Sequence, residues 1–179
     1  MRKLKLEELG RISVEAFRQS EKLPVTIVMD NVRSMHNVGS AFRTSDAFRL
    51  EKIWLTGITA TPPHREIEKA ALGATASVVW EYAEKTEDVL RNLKAAGYEI
   101  IAVEQTTNST PLQEFTPVKD RKYCLVFGHE VHGVSDEAIA LADVALEIPQ
   151  EGTKHSLNIS VCLGIVAWEF FRQLQLTPR

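Results

Sequence analysis

The chain has 179 residues, 44% hydrophobic and 25% charged, with a formal net charge of −3. This is the make-up of an ordinary globular domain, able to bury roughly two-thirds of its unfolded surface without disulfide or metal staples. It excludes a uniformly basic polyanion binder, so any such contact requires positive charge concentrated on one face. Arg33, His36, Arg43, Arg49, Lys52, Arg65 and Lys69 fall between residues 33 and 69, where they form either a local patch or scattered solvated charges.

The N-terminus, MRKLKLEELGR, begins basic but meets Glu7 and Glu8 before any apolar core develops. It reads as a short amphipathic helix and not as a signal peptide. Residues 1–24 are expected to form an N-terminal helical extension to a domain spanning 25–179. No apolar stretch is expected to reach the ~18 residues that span a bilayer. Cys124 and Cys162 lie inside apolar runs and read as buried free thiols, which points to a reducing, cytoplasmic compartment.

In chain order, short apolar runs predict strands at Val25–Asp30, Lys52–Gly57, Val78–Tyr82, Glu99–Glu104, Lys122–Phe127 and Ala145–Ile148. Continuous runs of this kind suit a sheet covered on both faces. Helical patterns separate them: Thr86–Ala96 with a Thr cap and Gly97 as terminator, Asp136–Leu141 behind Ser135, and a largely apolar last helix over about Leu157–Gln173. Thr59–His64 and Thr106–Pro117 read as loops. The alternation implies an α/β domain with a mostly parallel sheet flanked by helices, whose ligands gather at the carboxyl ends of the strands.

Three polar segments sit at such ends. After the first strand, Asn37 is placed to cap a helix, Gly39 to admit a close neighbour, and Arg43 to meet an anion. After the Lys122–Phe127 run comes Gly128-His-Glu-Val-His-Gly-Val-Ser135, whose glycines expose backbone groups. Glu130 there either contacts a substrate or complements a helix N-terminus. Its H-E-x-H pattern is one residue short of H-E-x-x-H and lies at a strand end, so no metal site is expected. The last strand runs into Pro149–Asn158, where Ser156 and Asn158 are both candidate caps for the final helix, beside Lys154 and His155.

The order of these segments resembles the SpoU, or TrmH-like, family of RNA ribose 2′-O-methyltransferases within the SpoU–TrmD superfamily. The resemblance runs from about Val25 to the C-terminus and rests on Asn37, Gly39 and Arg43; Gly128, Glu130, Gly133 and Ser135; and Ile148, Pro149, Ser156, Leu157 and Asn158. It implies a C-terminal deep trefoil knot, S-adenosylmethionine as cofactor with no metal, and tRNA or rRNA as substrate. A homodimer is implied, with the arginine working against the cofactor of the partner subunit. By carry-over, Gln105, Thr106, Gly128, Ile148 and Leu157 bind cofactor, while Arg43, Asn37, Glu130, Ser156 and Asn158 are catalytic. Arginine is a poor general base, so Arg43 is expected to stabilise alkoxide charge or grip a phosphate. His129 and Val131 depart from the family pattern, and His36, His129, His132 and His155 read either as a proton acceptor among them or as surface groups touching phosphate. With about two dozen residues before the first strand, RNA recognition is expected from the dimer surface, the N-terminal helix or a partner. Two rival readings are a non-catalytic RNA- or nucleotide-binding protein that retains the fold, and a dinucleotide-dependent oxidoreductase. No G-x-G-x-x-G follows the first strand, which counts against the second.

Overall fold

A computed structural model describes residues 1–176. Its strands are β1 (Leu23–Asp30), β2 (Leu50–Thr56), β3 (Trp80–Ala83), β4 (Tyr98–Val103), β5 (Thr110–Pro111), β6 (Lys122–Phe127) and β7 (Val144–Glu147). They form one sheet in the order β3-β2-β1-β6-β4-β7-β5, and every neighbouring pair is parallel. The helices are α1 (Val14–Gln19), α2 (Met35–Ala47), α3 (Arg65–Ala71), α4 (Ala74–Ser77), α5 (Thr86–Ala95), α6 (Asp136–Leu141) and α7 (Ile159–Phe171).

Period-two alternation splits the strand residues between two cores. Val25, Ile27 and Met29 of β1 join Tyr123, Leu125 and Phe127 of β6 in a large core that also takes Val38 and Phe42 of α2 and Leu163, Val166 and Phe170 of α7. Val28, Cys124 and Val126 face the opposite way, into a smaller core with Val89 and Leu90 of α5 and Ala138 of α6. Burial on both faces explains why the strands read as continuous apolar runs.

Several boundaries differ from expectation, each for a local reason. Ala74–Ser77 forms a helical turn, which delays β3 to Trp80. The two-residue β5 lies inside the expected Thr106–Pro117 loop; it is too short, and too marked by Pro111, to show a period. The N-terminal segment is not one amphipathic helix. Gly10 at φ 60° ends a single turn at Leu6–Leu9, and α1 starts afresh behind Ser13, whose side chain accepts from Ala16 N–H at 3.1 Å. The caps also move. Ser34, not Asn37, caps α2. Lys85 stands at the start of α5, and Thr86 turns inward.

The last helix is less buried than its composition predicts. Leu163, Val166, Ala167 and Phe170 enter the core, while Val161, Ile165 and Trp168 stay exposed. With the looser turn Arg172–Leu176, the helical stretch Ile159–Leu176 reaches 18 residues at a mean hydropathy of 1.2, which corrects the expectation that no stretch is so long and apolar. It carries Glu169 ion-paired to Arg172 at 2.6 Å and packs against α2, so it is a core helix with one open apolar face.

Candidate active site

The carboxyl ends of β4, β6 and β7 open into a cleft of about 710 Å³, within the range of small-molecule sites. Gln105 and Thr106 line it from the β4 end, Gly128 and Glu130 from the β6 end, and Ile148, Ser156, Leu157 and Asn158 from the segment leading to α7. Residues from three separate stretches of sequence thus face one cavity.

The loop after β6 is a tight, self-bonded turn. His129 N–H donates to the Gly133 carbonyl and Gly133 N–H to the His129 carbonyl, both at 2.8 Å. His129 Nδ1 accepts from Val131 N–H at 3.0 Å, and the His129 and His132 rings lie 4.8 Å apart. Gly128 is required by this closure: a Cβ there would sit 2.1 Å from Gly133 and Val134 backbone atoms. The first glycine therefore admits its own loop, and thereby leaves backbone groups rather than a side chain along the cleft wall.

Three carboxylates brace the turn. Glu130 accepts from Arg33 N–H, Ser34 N–H and Asn37 Nδ2, each at 2.9 Å, and so clamps the loop to the N-terminus of α2. Burial pushes the Glu130 carboxyl up, but these hydrogen bonds outweigh it and hold the group below its ordinary value. Asp30, buried at the end of β1, accepts from Ser135 N–H at 2.8 Å and Thr86 Oγ1 at 2.6 Å. Glu104 accepts from Val134 N–H at 3.0 Å and from Gln105 N–H at 2.9 Å. Ser135 occupies the expected cap position of α6, yet its side chain makes no cap bond; its N–H goes to Asp30 instead. Neither Asp30 nor Glu104 belongs to the three polar segments, and Thr86, which reads as a cap, bonds Asp30 instead. The available signal was an acidic residue directly closing an apolar strand.

The opposite wall is held more lightly. Gln105 Nε2 donates to the His155 carbonyl at 3.0 Å, joining the β4 end to the segment before α7. Asn158 caps α7, its Oδ1 accepting from Ser160 N–H at 2.9 Å, while Ser156 remains exposed on the cleft.

Arg43 is not in this cleft. It lies in a separate groove of about 480 Å³ with His36, Ser40, Lys69, Leu72 and Gly164. Asn37 is buried beneath the Glu130 clamp. Gly39 meets α3 rather than a phosphate, since a Cβ there would come 2.4 Å from the Ile67 carbonyl oxygen. The expected basic patch is only partly assembled. His36, Arg43 and Lys69 share the groove, whereas Lys52 pairs with Glu81 at 2.6 Å and covers the Trp54 ring.

A parallel α/β sheet with a cleft at the carboxyl ends of its strands defines a domain of the ligand-binding, open-sheet class. The profile of the SpoU rRNA Methylase family matches residues 24–168, and the chain belongs to that family. It is 30% identical over 151 residues to the tRNA (guanosine(18)-2′-O)-methyltransferase of Escherichia coli K12, covering 84% of this chain and 64% of that protein. The Aquifex aeolicus enzyme of the same name is 33% identical over 153 residues, covering 82% and 68%. An AdoMet-bound rRNA methyltransferase from Sinorhizobium meliloti superposes with a TM-score of 0.78 at 30% identity, covering 92% of this chain and 62% of that one. The chain thus spans a little under two-thirds of the length of the E. coli relative.

Proposed function

We propose that the protein transfers a methyl group from S-adenosylmethionine to a ribose 2′-hydroxyl of tRNA or rRNA. The observation that carries this reading is the meeting of Gln105, Thr106, Gly128, Ile148, Leu157, Ser156 and Asn158 in one cleft of a SpoU-family chain. The cleft fits the cofactor. It offers apolar walls at Ile148 and Leu157 and a backbone edge at Gly128, where a side chain has no room. When bound, the cofactor supplies an electrophilic methyl group on a sulfonium; no metal enters the scheme.

The residues of the chain then orient the reacting hydroxyl and stabilise its charge. Ser156 and Asn158 stand on the cleft wall where a ribose would be held. Glu130 and Asn37 act by fixing the loop after β6 against α2, and their mutual bond leaves them little freedom to hold substrate. Arg43 approaches its charge-stabilising or phosphate-gripping role from a second subunit. The separation of its groove from the cleft supports this, as does the exposed apolar strip Val161, Ile165 and Trp168 on α7, to which Gly164 and Leu72 lie adjacent. A homodimer sealed through that strip buries exposed apolar surface and presents His36, Arg43 and Lys69 to a neighbour's cleft.

The C-terminal segment is proposed to thread as a deep trefoil knot. The insertion of β6 between β1 and β4, and of β7 between β4 and β5, supports this, because each late strand enters a gap between earlier ones. The helical extension is proposed to end where β1 begins, at Leu23 rather than after residue 24, and the rest of the chain to form the catalytic unit; residues 177–179 lie outside the described residues. The free thiols Cys124 and Cys162 favour a cytoplasmic setting.

Calorimetry with S-adenosylhomocysteine, followed by labelled methyl transfer to total tRNA and rRNA, tests the reading. Micromolar binding and alkali-stable label are expected. Absence of binding to the purified protein would sink it in favour of a non-catalytic RNA-binding role.

A further inference from the structure

The lining of the cleft carries four carboxylates, from Glu104, Glu130, Asp136 and Glu147, beside the imidazoles of His129, His132 and His155, and among the described residues no lysine or arginine. The groove around Arg43 is the reverse, with Arg43, Lys69 and His36 and, among the described residues, no carboxylate. The two cavities are therefore matched to ligands of opposite charge. Of the four acids, Glu130 is engaged by the N-terminus of α2, and Glu147 accepts from Ser109 Oγ at 3.0 Å. Asp136 lies in the first turn of α6, where the helix itself offsets its charge.

Glu104 differs. It closes β4, the strand beside β6 and β7, and its two oxygens are held by the Val134 and Gln105 N–H groups rather than by a cation. Gly133, at φ +69°, supports the placement, because a Cβ there would stand 2.1 Å from Glu104 Oε2. Across the wall is Cys162 of α7, whose thiol is pushed up to about 11 by burial first and by the Glu104 charge second. The carboxylate is thus fixed on the lining of the cleft, where among the described residues no lysine or arginine stands beside it.

We infer that Glu104 is a charge-selecting residue of the cofactor cleft, favouring a sulfonium-bearing ligand over the neutral thioether left after methyl transfer. This rests on the proposed placement of the cofactor. S-adenosylmethionine carries one more positive charge than S-adenosylhomocysteine, and the two otherwise differ by a single methyl group. A fixed carboxylate in partly dehydrated surroundings attracts the sulfonium of the first and finds no corresponding charge on the thioether of the second. Selection of this kind loads the reactive cofactor and weakens the hold on the product. It also keeps RNA phosphate out of the cleft and leaves it to the basic groove.

The experiment is calorimetric titration of the full chain with S-adenosylmethionine, S-adenosylhomocysteine and sinefungin, which carries an ammonium-bearing carbon in place of the sulfonium. In Glu104→Gln, S-adenosylmethionine and sinefungin should each weaken about fivefold, as expected for one partly screened charge pair, while S-adenosylhomocysteine stays within about twofold. Glu104→Asp keeps the charge and should keep the ratio of the two cofactor affinities near wild type, even where both weaken. Equal weakening of both forms in Glu104→Gln would reduce Glu104 to a brace of the loop and overturn the inference, as would an unchanged ratio. Should the glutamine variant fail to fold, the wild-type ratio decides: it must shrink between about 50 mM and about 500 mM NaCl, and a salt-independent ratio overturns the inference. Failure of the wild-type protein to bind either cofactor form would overturn the cleft assignment itself, and this inference with it.

Discussion

Replacing Glu130 with glutamine tests the joint between the loop after β6 and the start of α2. In the native protein the carboxylate accepts Ser34 N–H and Asn37 Nδ2 on Oε1 and Arg33 N–H on Oε2. A glutamine with its oxygen at the Oε1 position keeps the first two bonds and turns its amide toward the Arg33 N–H, donor against donor. A hydrogen bond to a charged group contributes roughly 1.5–3 kcal/mol where it is shielded. Glu130 is exposed, so solvent screening lowers the expectation to about 1 kcal/mol. In a chain of this size that is a fall in Tm of roughly 2–4 °C. The sign of the pH dependence follows from the carboxyl being held below its ordinary value of 4.5. Such a group stabilises fully above its unfolded pKa and loses that contribution as pH falls through the folded one. The Tm gap between wild type and Glu130→Gln should therefore be full near pH 7 and close progressively below about 4.5. Circular-dichroism melts from about pH 7 to about pH 3 measure it. A gap that persists unchanged at the acid end, or that is missing at neutrality, would refute the brace.

Further outcomes follow from the same geometry. Gly39→Ala places a Cβ 2.4 Å from the Ile67 carbonyl oxygen and 2.7 Å from Ala70 Cβ. It should force α2 and α3 apart at a cost of about 1–3 kcal/mol, read from urea unfolding. Gly128→Ala meets the Gly133 and Val134 backbone at 2.1 Å, so the turn cannot close. The expected result is a folded protein, by its melting profile, whose S-adenosylhomocysteine affinity falls more than about tenfold. Asp30→Asn removes an acceptor from the buried bonds to Ser135 N–H and Thr86 Oγ1 and should destabilise by about 2 kcal/mol in the same urea assay. Arg43→Ala alone and Gly128→Ala alone should each be inactive in methyl transfer, whereas mixing the unfolded variants and refolding them together should restore part of the activity. No recovery in the mixture would refute a site completed across subunits.

The legibility of the site in the sequence was uneven, for physical reasons. Glycines and caps are local devices, so Gly128 and the Asn158 cap of α7 were open to reading from neighbouring residues. Asn37 was misread as a cap because its real partner, Glu130, is 93 residues away. Thr86 misled in the same way: its hydroxyl faces Asp30, 56 residues distant, rather than its own helix. Glu104 carried no motif at all. Its role depends on Val134 and Cys162, which only the sheet order brings beside it.

What the sequence determined by itself is the fold class, the strands of the sheet interior and the three polar segments of the proposed site. Period-two apolar runs and turn residues are set by nearest neighbours and by which faces must leave water. Tertiary structure alone decided that two of those segments share one acidic cleft while Arg43 of the other stands in a basic groove apart from it. It also decided that α7, apolar nearly all round, buries only one side. The first result follows from strand order, because inserting β6 and β7 among earlier strands sets distant residues side by side. No local pattern encodes such a placement. The three polar segments thus mark the proposed site, and the sheet determines which of them face one cavity within one chain.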